Sequence, residues 1–248
     1  MKGLLVTNNT LSGRRVLVPG GTGGVGEGIV RAFLTAGADV VVPTRSDTRG
    51  AELRAALGEL GHSPLLHLPT HDYTTFGGAE ALASTMVAMR GGIDDVIVPV
   101  GGWWAGGPLV AITETDWRQA FTDLATAHMG LARAALPLMS GAGAYTIIVG
   151  QSAEYPVPGS GLVSMEQAAL LMMQRVLAAE AADRRVLALE LGPVSTRFTP
   201  AEPERVTSDQ VGAVALAAST DPDLTSRIIT LAHATDADAF LTTLATRP

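Results

Sequence analysis

The stretch PGGTGGVGEG, residues 19–28, constrains this chain more than any other. It stands between a short apolar run, RRVLVPG (residues 14–20), and a helical pattern, GEGIVRAFLTAG (residues 26–37), so it reads as strand, tight turn and helix. Glycines at a helix start let a diphosphate approach the backbone, where free N–H groups and the positive end of the helix dipole meet it. At the first strand of a βαβ pattern such a loop is a dinucleotide seat; the alternative is a glycine-rich turn with no ligand. A P-loop for ATP is not the reading, because no GK[ST] follows.

The same order repeats down the chain. ADVVVPTR (38–45), PLLHLP (64–69), DDVIVPVGG (94–102), AYTIIVG (144–150), VLALELG (186–192) and SRIITLA (226–232) read as strands. Helical patterns separate them at residues 49–61, 78–92, 115–140, 165–184 and 209–219. Strands written as continuous Val, Ile and Leu are buried on both faces, and alternating helices cover both faces of a parallel sheet. The expected architecture is α/β, a doubly wound parallel sheet in one Rossmann-like domain over residues 1–248. Residues 1–10 read as a lead, about 193–210 as a lid-like loop rich in Pro, Ser and Thr, and 234–248 as a short helix or a mobile tail.

Composition narrows the partners. The chain has 47% hydrophobic against 17% charged residues, enough to bury a core. A net charge of -7 disfavours nucleic acid, which calls for clustered Lys and Arg. No apolar run reaches the roughly 18 residues of a membrane span, and no basic, then apolar, leader opens the chain. The absence of Cys excludes disulfides and thiolate metal sites and fits a reducing compartment. The expectation is a soluble cytoplasmic protein with no membrane partner and no metal.

The strand order and the loop together resemble the short-chain dehydrogenase/reductase family, from about Leu11 to Leu231. The family's TGxxxGxG falls on Pro19, Gly20, Gly24 and Gly26, with Pro19 in place of Thr. The resemblance implies cofactor contacts from Gly20, Thr22, Gly23, Gly24, Val25, Gly26 and, after the fourth strand, Gly101. Arg45, in PTRSD, follows the second strand, where a basic residue in this family suggests NADP; its fork would grip the 2′-phosphate, or it is a solvated surface arginine. LGPVST resembles the family's PGxVxT, keeping Gly192, Val194 and Thr196 but placing Leu191 where Pro is usual. The implied cofactor is NADP(H), with NAD(H) as the alternative. The implied partners are a small-molecule ligand and further copies of the chain, as a homodimer or homotetramer.

The family's catalytic residues are where the chain departs. NNAG reads Pro99, Val100, Gly101, Gly102; the helix Asn, seven residues after Trp117, is Leu124; the YxxxK pair is Val163 and Gln167. Positions 163 and 167 are four apart and share a helix face, which in the family aims Tyr and Lys at one substrate and ribose. Val163 has no proton to donate, and losing a general acid costs about 10²- to 10⁴-fold in rate. Gln167 can hydrogen-bond a ribose, or it can close a capping box with Ser164 in SMEQ. Ser152 matches the family's Ser, a residue or two short of its usual spacing, and Tyr155 is either a substitute acid or an aromatic wall.

Trp103, Trp104, Tyr155 and Phe198 are the expected apolar substrate pocket, unless the two tryptophans pack under a loop as core. Asp72, Asp123 and Glu154 are alternative bases or solvated acids, and Pro69 or Asp72 falls near the adenine contact. GQSAE misses the GxSxG nucleophile elbow by one residue, and Pro156 and Pro158 oppose the helix such an elbow needs. His62, His67 and His71 cluster without the helix that would align them on a metal, because Pro64 and Pro69 interrupt. His128 reads as a satisfied packing residue, and Leu170, Leu171, Met172, Met173 and Leu177 as core or subunit interface. The resulting expectation is an NADP(H)-binding protein with a degenerate catalytic set. It would be a divergent enzyme on a small apolar or aromatic substrate, a non-redox isomerase, cyclase or lyase, a silent nucleotide- or metabolite-binding module, or a structural partner pairing through the long helix at 115–140 and the one at 165–184.

Overall fold

Alternation along the first strand decides the layers. In β1 (Arg15–Leu17) the side chain of Val16 packs on one side with Ile29, Phe33 and Val214, while Leu17 packs on the other with Leu82, Ile93 and Leu131. The computed structural model describes residues 10–141, 143–181 and 183–246, and all but the last residue of the expected lead lies outside them. The order continues with α1 (Gly24–Thr35), β2 (Asp39–Val41), α2 (Asp47–Leu57), β3 (Leu66–His67), α3 (Phe76–Arg90) and β4 (Asp95–Val98). Then come α4 (Glu114–Trp117), α5 (Asp123–Ala135), β5 (Ala144–Gly150), α6 (Gly161–Glu180) and β6 (Arg185–Leu191). The chain finishes through β7 (Val194–Ser195), β8 (Val206–Thr207), α7 (Ser208–Thr220), β9 (Ile228–Leu231) and α8 (Ala234–Ala245).

Seven strands form one parallel sheet in the order β3-β2-β1-β4-β5-β6-β9. The doubly wound architecture is therefore as expected, with helices on both faces. The order reverses between β1 and β4, which opens a crevice at their carboxyl ends. Helices α1 and α7 cross so closely that a Cβ on Gly212 would lie 2.1 Å from the Gly28 carbonyl oxygen. That crossing holds the glycine loop and the segment after β6 against each other. Among the described residues no helix is long and apolar enough to cross a membrane.

Several segments depart from the expected elements or decide between stated alternatives. The single helix expected over 115–140 is broken by a π-helical turn at Arg118–Thr122, and Pro137 tightens its end into a 3-10 turn, Leu136–Leu138. Helix α6 starts four residues earlier than expected, because Leu162 and Val163 bury as part of its first turn. Ser164 is consequently inside the helix and SMEQ is not a capping box; the Ser164 hydroxyl accepts from the Val157 N–H instead. The lid-like segment is anchored at both ends by the parallel pair β7 and β8. Residues 234–245 form a helix whose Phe240, Leu241 and Leu244 pack on the core, which decides between helix and tail.

Candidate active site

The crevice floor is bare backbone. After β1 the chain turns at Gly20 with φ +85°, a left-handed conformation that disfavours any side chain, and a Cβ there would lie 2.7 Å from the Pro99 carbonyl oxygen. A Cβ on Gly26 would lie 2.6 Å from the Gly20 carbonyl oxygen, and one on Gly24 would strike the Thr196 side chain at 2.8 Å. Helix α1 has Gly23 at its N-cap and no side-chain cap, so its first-turn N–H groups are left for another acceptor. A diphosphate has the charge and the acceptors that this end of a helix favours. The residues present thus fit a dinucleotide: the cradle is one that side chains would fill.

Two strands away, the loop after β5 carries a second cluster. The Gly150 N–H donates to Gln167 Oε1 at 2.6 Å, and Gln167 Nε2 donates to Glu166 Oε2. Ser152 sits on a 3-10 turn, Gln151–Ala153, with its Oγ 3.4 Å from where a Gly150 Cβ would be. Val163 and Gln167 both lie on the buried face of α6, as four-residue spacing requires. Glu166 is 1% exposed and its Oε1 has no partner among the described residues. Burial pushes its carboxyl up to about 7, against the opposing hydrogen bond from Gln167. Across on α5, buried His128 donates from Nε2 to the Val100 carbonyl at 2.8 Å. Burial lowers its imidazole to about 4, that same carbonyl opposing, and its Nδ1 is unpartnered among the described residues.

The remaining sequence candidates are more dispersed. Arg45 is exposed in the loop after β2 and makes no hydrogen bond or ion pair with the described residues. Val25 is half-buried against the core, Val194 belongs to β7, and Gly101 is exposed with open space around it. Gly192 is held by packing, since a Cβ would lie 2.1 Å from the Ala232 carbonyl oxygen. Trp103, Tyr155 and Phe198 are exposed, while Trp104 folds over Gly106 and donates from Nε1 to Asp116 at 3.3 Å. Leu124 is half-buried on α5. Asp72 is held low by the Thr74 hydroxyl and N–H, with Arg45 nearby, and Asp123 and Glu154 are exposed. The three clustered histidines separate in use: His67 lies against Asp39 and Arg90, His71 against the Gly78 carbonyl, and His62 at the end of a 3-10 turn.

A family model for enoyl-(acyl carrier protein) reductases matches residues 20–240. The chain belongs to the short-chain dehydrogenase/reductase family. Among curated relatives, human dehydrogenase/reductase SDR family member 4 is 29% identical over 202 residues, covering 79% of this chain and 71% of that protein. The cis-2,3-dihydrobiphenyl-2,3-diol dehydrogenase of Pseudomonas sp. strain KKS102 is 31% identical over 192 residues, covering 75% and 68%. A hydroxysteroid 11-beta-dehydrogenase 1-like protein of Xenopus tropicalis is 29% identical over 155 residues, and the match spans 60% of this chain and 52% of that protein.

Solved structures share the fold. A short-chain type dehydrogenase/reductase from Mycobacterium ulcerans superposes with TM-score 0.81 at 22% identity, covering 89% of both chains. A short-chain oxidoreductase from Pseudomonas aeruginosa PAO1 containing an atypical catalytic center gives 0.80 at 20% identity, covering 89% of this chain and 96% of that one. A blue fluorescent protein from a metagenomic library, in complex with NADPH, gives 0.77 at 21% identity, covering 89% and 97%.

Within this short-chain dehydrogenase/reductase frame the fold adds three residues that the sequence reading passed over. Glu166 lies beside Gln167 and accepts from its amide, and a signal for it existed: Leu162, Val163, Leu170 and Leu171 place residue 166 on the same helical face. Arg197 and Glu27 meet over the glycine loop, at a Nε–Oε2 distance of 3.0 Å. Neither carries a local signal, because only the packing of the segment after β7 on α1 brings them together.

Proposed function

We propose that this member of the family is an NADP(H)-binding oxidoreductase-fold protein with a degenerate catalytic set, a divergent enzyme acting on a small apolar or aromatic substrate. The observation that carries the reading is the cradle of Gly20, Gly24 and Gly26, where each Cβ would meet backbone or Thr196 within 2.8 Å. Arg45, exposed and without a bonded partner among the described residues, is the fork for a 2′-phosphate and the reason for preferring NADP(H) over NAD(H). The NADPH complex of a structurally similar protein supports a nicotinamide cofactor. Such a cofactor supplies a hydride, or accepts one.

This chain's residues would do the rest differently from the family's Tyr and Lys. Ser152 can donate a hydrogen bond to a substrate oxygen beside the β5 end, but Val163 holds no proton and the Gln167 amide is committed to Gly150 and Glu166. Ordinary carbonyl reduction is therefore not the proposed activity. A second reading, a silent module that binds the nucleotide without turnover, is favoured by that same committed amide. The exposed Met165, Met172 and Val176 on α6, with Met129 on α5, support pairing with a second copy.

Titration with NADPH and NADH, by fluorescence or calorimetry, tests the cofactor. NADPH is expected to bind more tightly, and Arg45→Gln to erase the preference. No binding of either at millimolar concentration would remove the cofactor, and equal affinity would remove Arg45. A panel of simple ketones and aldehydes is expected to give no NADPH consumption above background. Steady turnover abolished by Tyr155→Phe would reveal Tyr155 as the substitute acid, at a cost of about 10²-fold or more.

A further inference from the structure

The guanidinium of Arg197 lies over the glycine loop, although its residue belongs to the segment after β7. Three contacts hold it there. Its Nε meets Glu27 Oε2 at 3.0 Å, off the N–H axis, so the contact is ionic and not a hydrogen bond. Its Nη2 donates to the Thr22 carbonyl at 3.3 Å, and its Cζ stands 4.3 Å from the centroid of the Phe198 ring. Glu27, in the first turn of α1, has its other oxygen bonded by Arg31 at 2.9 Å, so its charge does not depend on Arg197 alone. The preceding residue, Thr196, is the side chain that a Cβ on Gly24 would strike. Nη1 of Arg197 carries no bond to the described residues.

We propose that Arg197 is a diphosphate-binding residue, whose outer edge takes oxygens of a dinucleotide seated on the glycine loop while Glu27, the Thr22 carbonyl and the Phe198 ring hold the fork in place. This rests on the dinucleotide reading above and adds to it a residue from outside the loop. A planar guanidinium already fixed by three contacts loses little freedom on binding, and its parallel N–H groups match a phosphate better than an ammonium does. The segment after β7 would thereby share in binding, because its own arginine spans the loop and the ligand.

The test is titration of wild type, Arg197→Gln, Arg197→Lys and Glu27→Gln with NADPH and with NADH at several salt concentrations, after thermal melts have shown which variants fold. Arg197→Gln is expected to weaken both cofactors by the same factor, about 10-fold or more, and to flatten the salt dependence of Kd. Arg197→Lys should recover little of this, since a point charge on a flexible stem cannot keep the ring, the carbonyl and the phosphate together. Glu27→Gln, which keeps the arginine but loosens it, should weaken both cofactors by a smaller equal factor. Unchanged binding by Arg197→Gln in a wild-type background that does bind would remove Arg197 and leave the dinucleotide reading standing. A loss confined to NADPH would place Arg197 on the 2′-phosphate and overturn the assignment. Failure of the wild type to bind either cofactor would sink the dinucleotide reading itself, and this one with it.

Discussion

The two ends of the strands, the amino edge and the carboxyl edge of the sheet, are finished in opposite ways. At the amino edge, Arg14 pairs with the fully buried Asp95, which also accepts the Ala144 N–H at 2.9 Å. Arg15 grips Asp94 through Nε and Nη2, both at 2.8 Å, and Ser140 adds its hydroxyl at 2.8 Å. Burial alone would raise the Asp94 carboxyl, but the hydrogen bonds from Arg15 and Ser140 outweigh it and hold it at about 2. Arg185 spends its fork on the Ser219 and Asp221 carbonyls at the end of α7. At the carboxyl edge the floor is glycine, Trp103, Tyr155 and Phe198 are exposed, and Glu166 and His128 each bury an atom with no partner among the described residues. The amino edge closes its own charges, although it too buries unpartnered hydroxyls, those of Tyr145 and Ser219. The other leaves capacity for a ligand to meet, which is where sheets of this topology bind.

Removing a paired charge at the amino edge should therefore have the largest effect on stability. Asp95→Ala takes the carboxylate from Arg14, which keeps its bond to the Ser219 carbonyl, and leaves the Ala144 N–H without its acceptor; a loss of about 3–5 kcal/mol is expected from urea unfolding. A loss below about 1 kcal/mol would mean that the pairing only offsets its own desolvation. The acid limb has the same origin: Asp94 contributes stability that is present above its unfolded value of 3.8 and is lost as pH falls through about 2.

At the carboxyl edge, Gly20→Ala should cost up to about 3 kcal/mol, because left-handed strain and contact with Pro99 act together, and should abolish dinucleotide binding. Gly13 is the control, with φ +80° but nothing within 4 Å of its Cβ position. Gly13→Ala should cost about 1–2 kcal/mol and leave binding intact. Equal effects at the two glycines would show that backbone conformation, and not the close approach to Pro99, is what Gly20 supplies.

How much was legible in the sequence follows the same division. The strand order was readable because strands buried on both faces must be continuous apolar runs, and the glycine loop was readable because bare backbone leaves its mark in composition. The π-helical turn at Arg118–Thr122 was not, since DWRQAF suits an α-helix equally well and one widened turn changes no residue type. The start of α6 was misplaced because SMEQ has the letters of a capping box, while the burial of Leu162 and Val163 depends on what the helix packs against. Arg197 looks solvated within a Pro-rich segment until the fold lays that segment on α1. Backbone features written in one short motif could be read in advance, and contacts made by two distant segments could not.

Glu166 and His128 offer a smaller, pH-dependent contrast. Glu166 is held at about 7 against an ordinary 4.5, so between those values the folded state binds the extra proton and stability falls as pH rises. His128 is held at about 4 against 6.5, so the unfolded chain binds the extra proton and stability rises with pH across that interval. The two slopes oppose each other over most of the range. Glu166→Gln removes the first and should stabilise the protein by about 1–2 kcal/mol at pH 8, with the gain vanishing near pH 4.5. Urea titrations at pH 4.5, 6 and 8 measure it. A difference that does not change with pH would show that this carboxyl does not titrate within the interval.

The smallest effect is expected from rebuilding the family's pair, and Glu166 is the reason. Val163→Tyr with Gln167→Lys places a phenol and an ammonium one helical turn apart near Ser152. The new ammonium, however, would stand where the Gln167 amide now donates to Glu166, and a buried carboxylate beside a buried lysine forms an ion pair in preference to leaving either charge exposed to the crevice. Gly150 would also lose its acceptor. With Leu124 offering no side-chain amide, and with a misplacement of about 1 Å able to cost 100-fold, the double variant should oxidise NADPH with a small activated ketone only marginally above wild type. Adding Glu166→Ser releases the ammonium and should raise that rate several-fold, while Leu124→Asn should help only once the ammonium is free. Turnover of about 1 per second by the double variant alone, a rate within the ordinary range for enzymes, would show that Glu166 does not capture the lysine and that the carboxyl edge is a working reductase scaffold lacking two side chains.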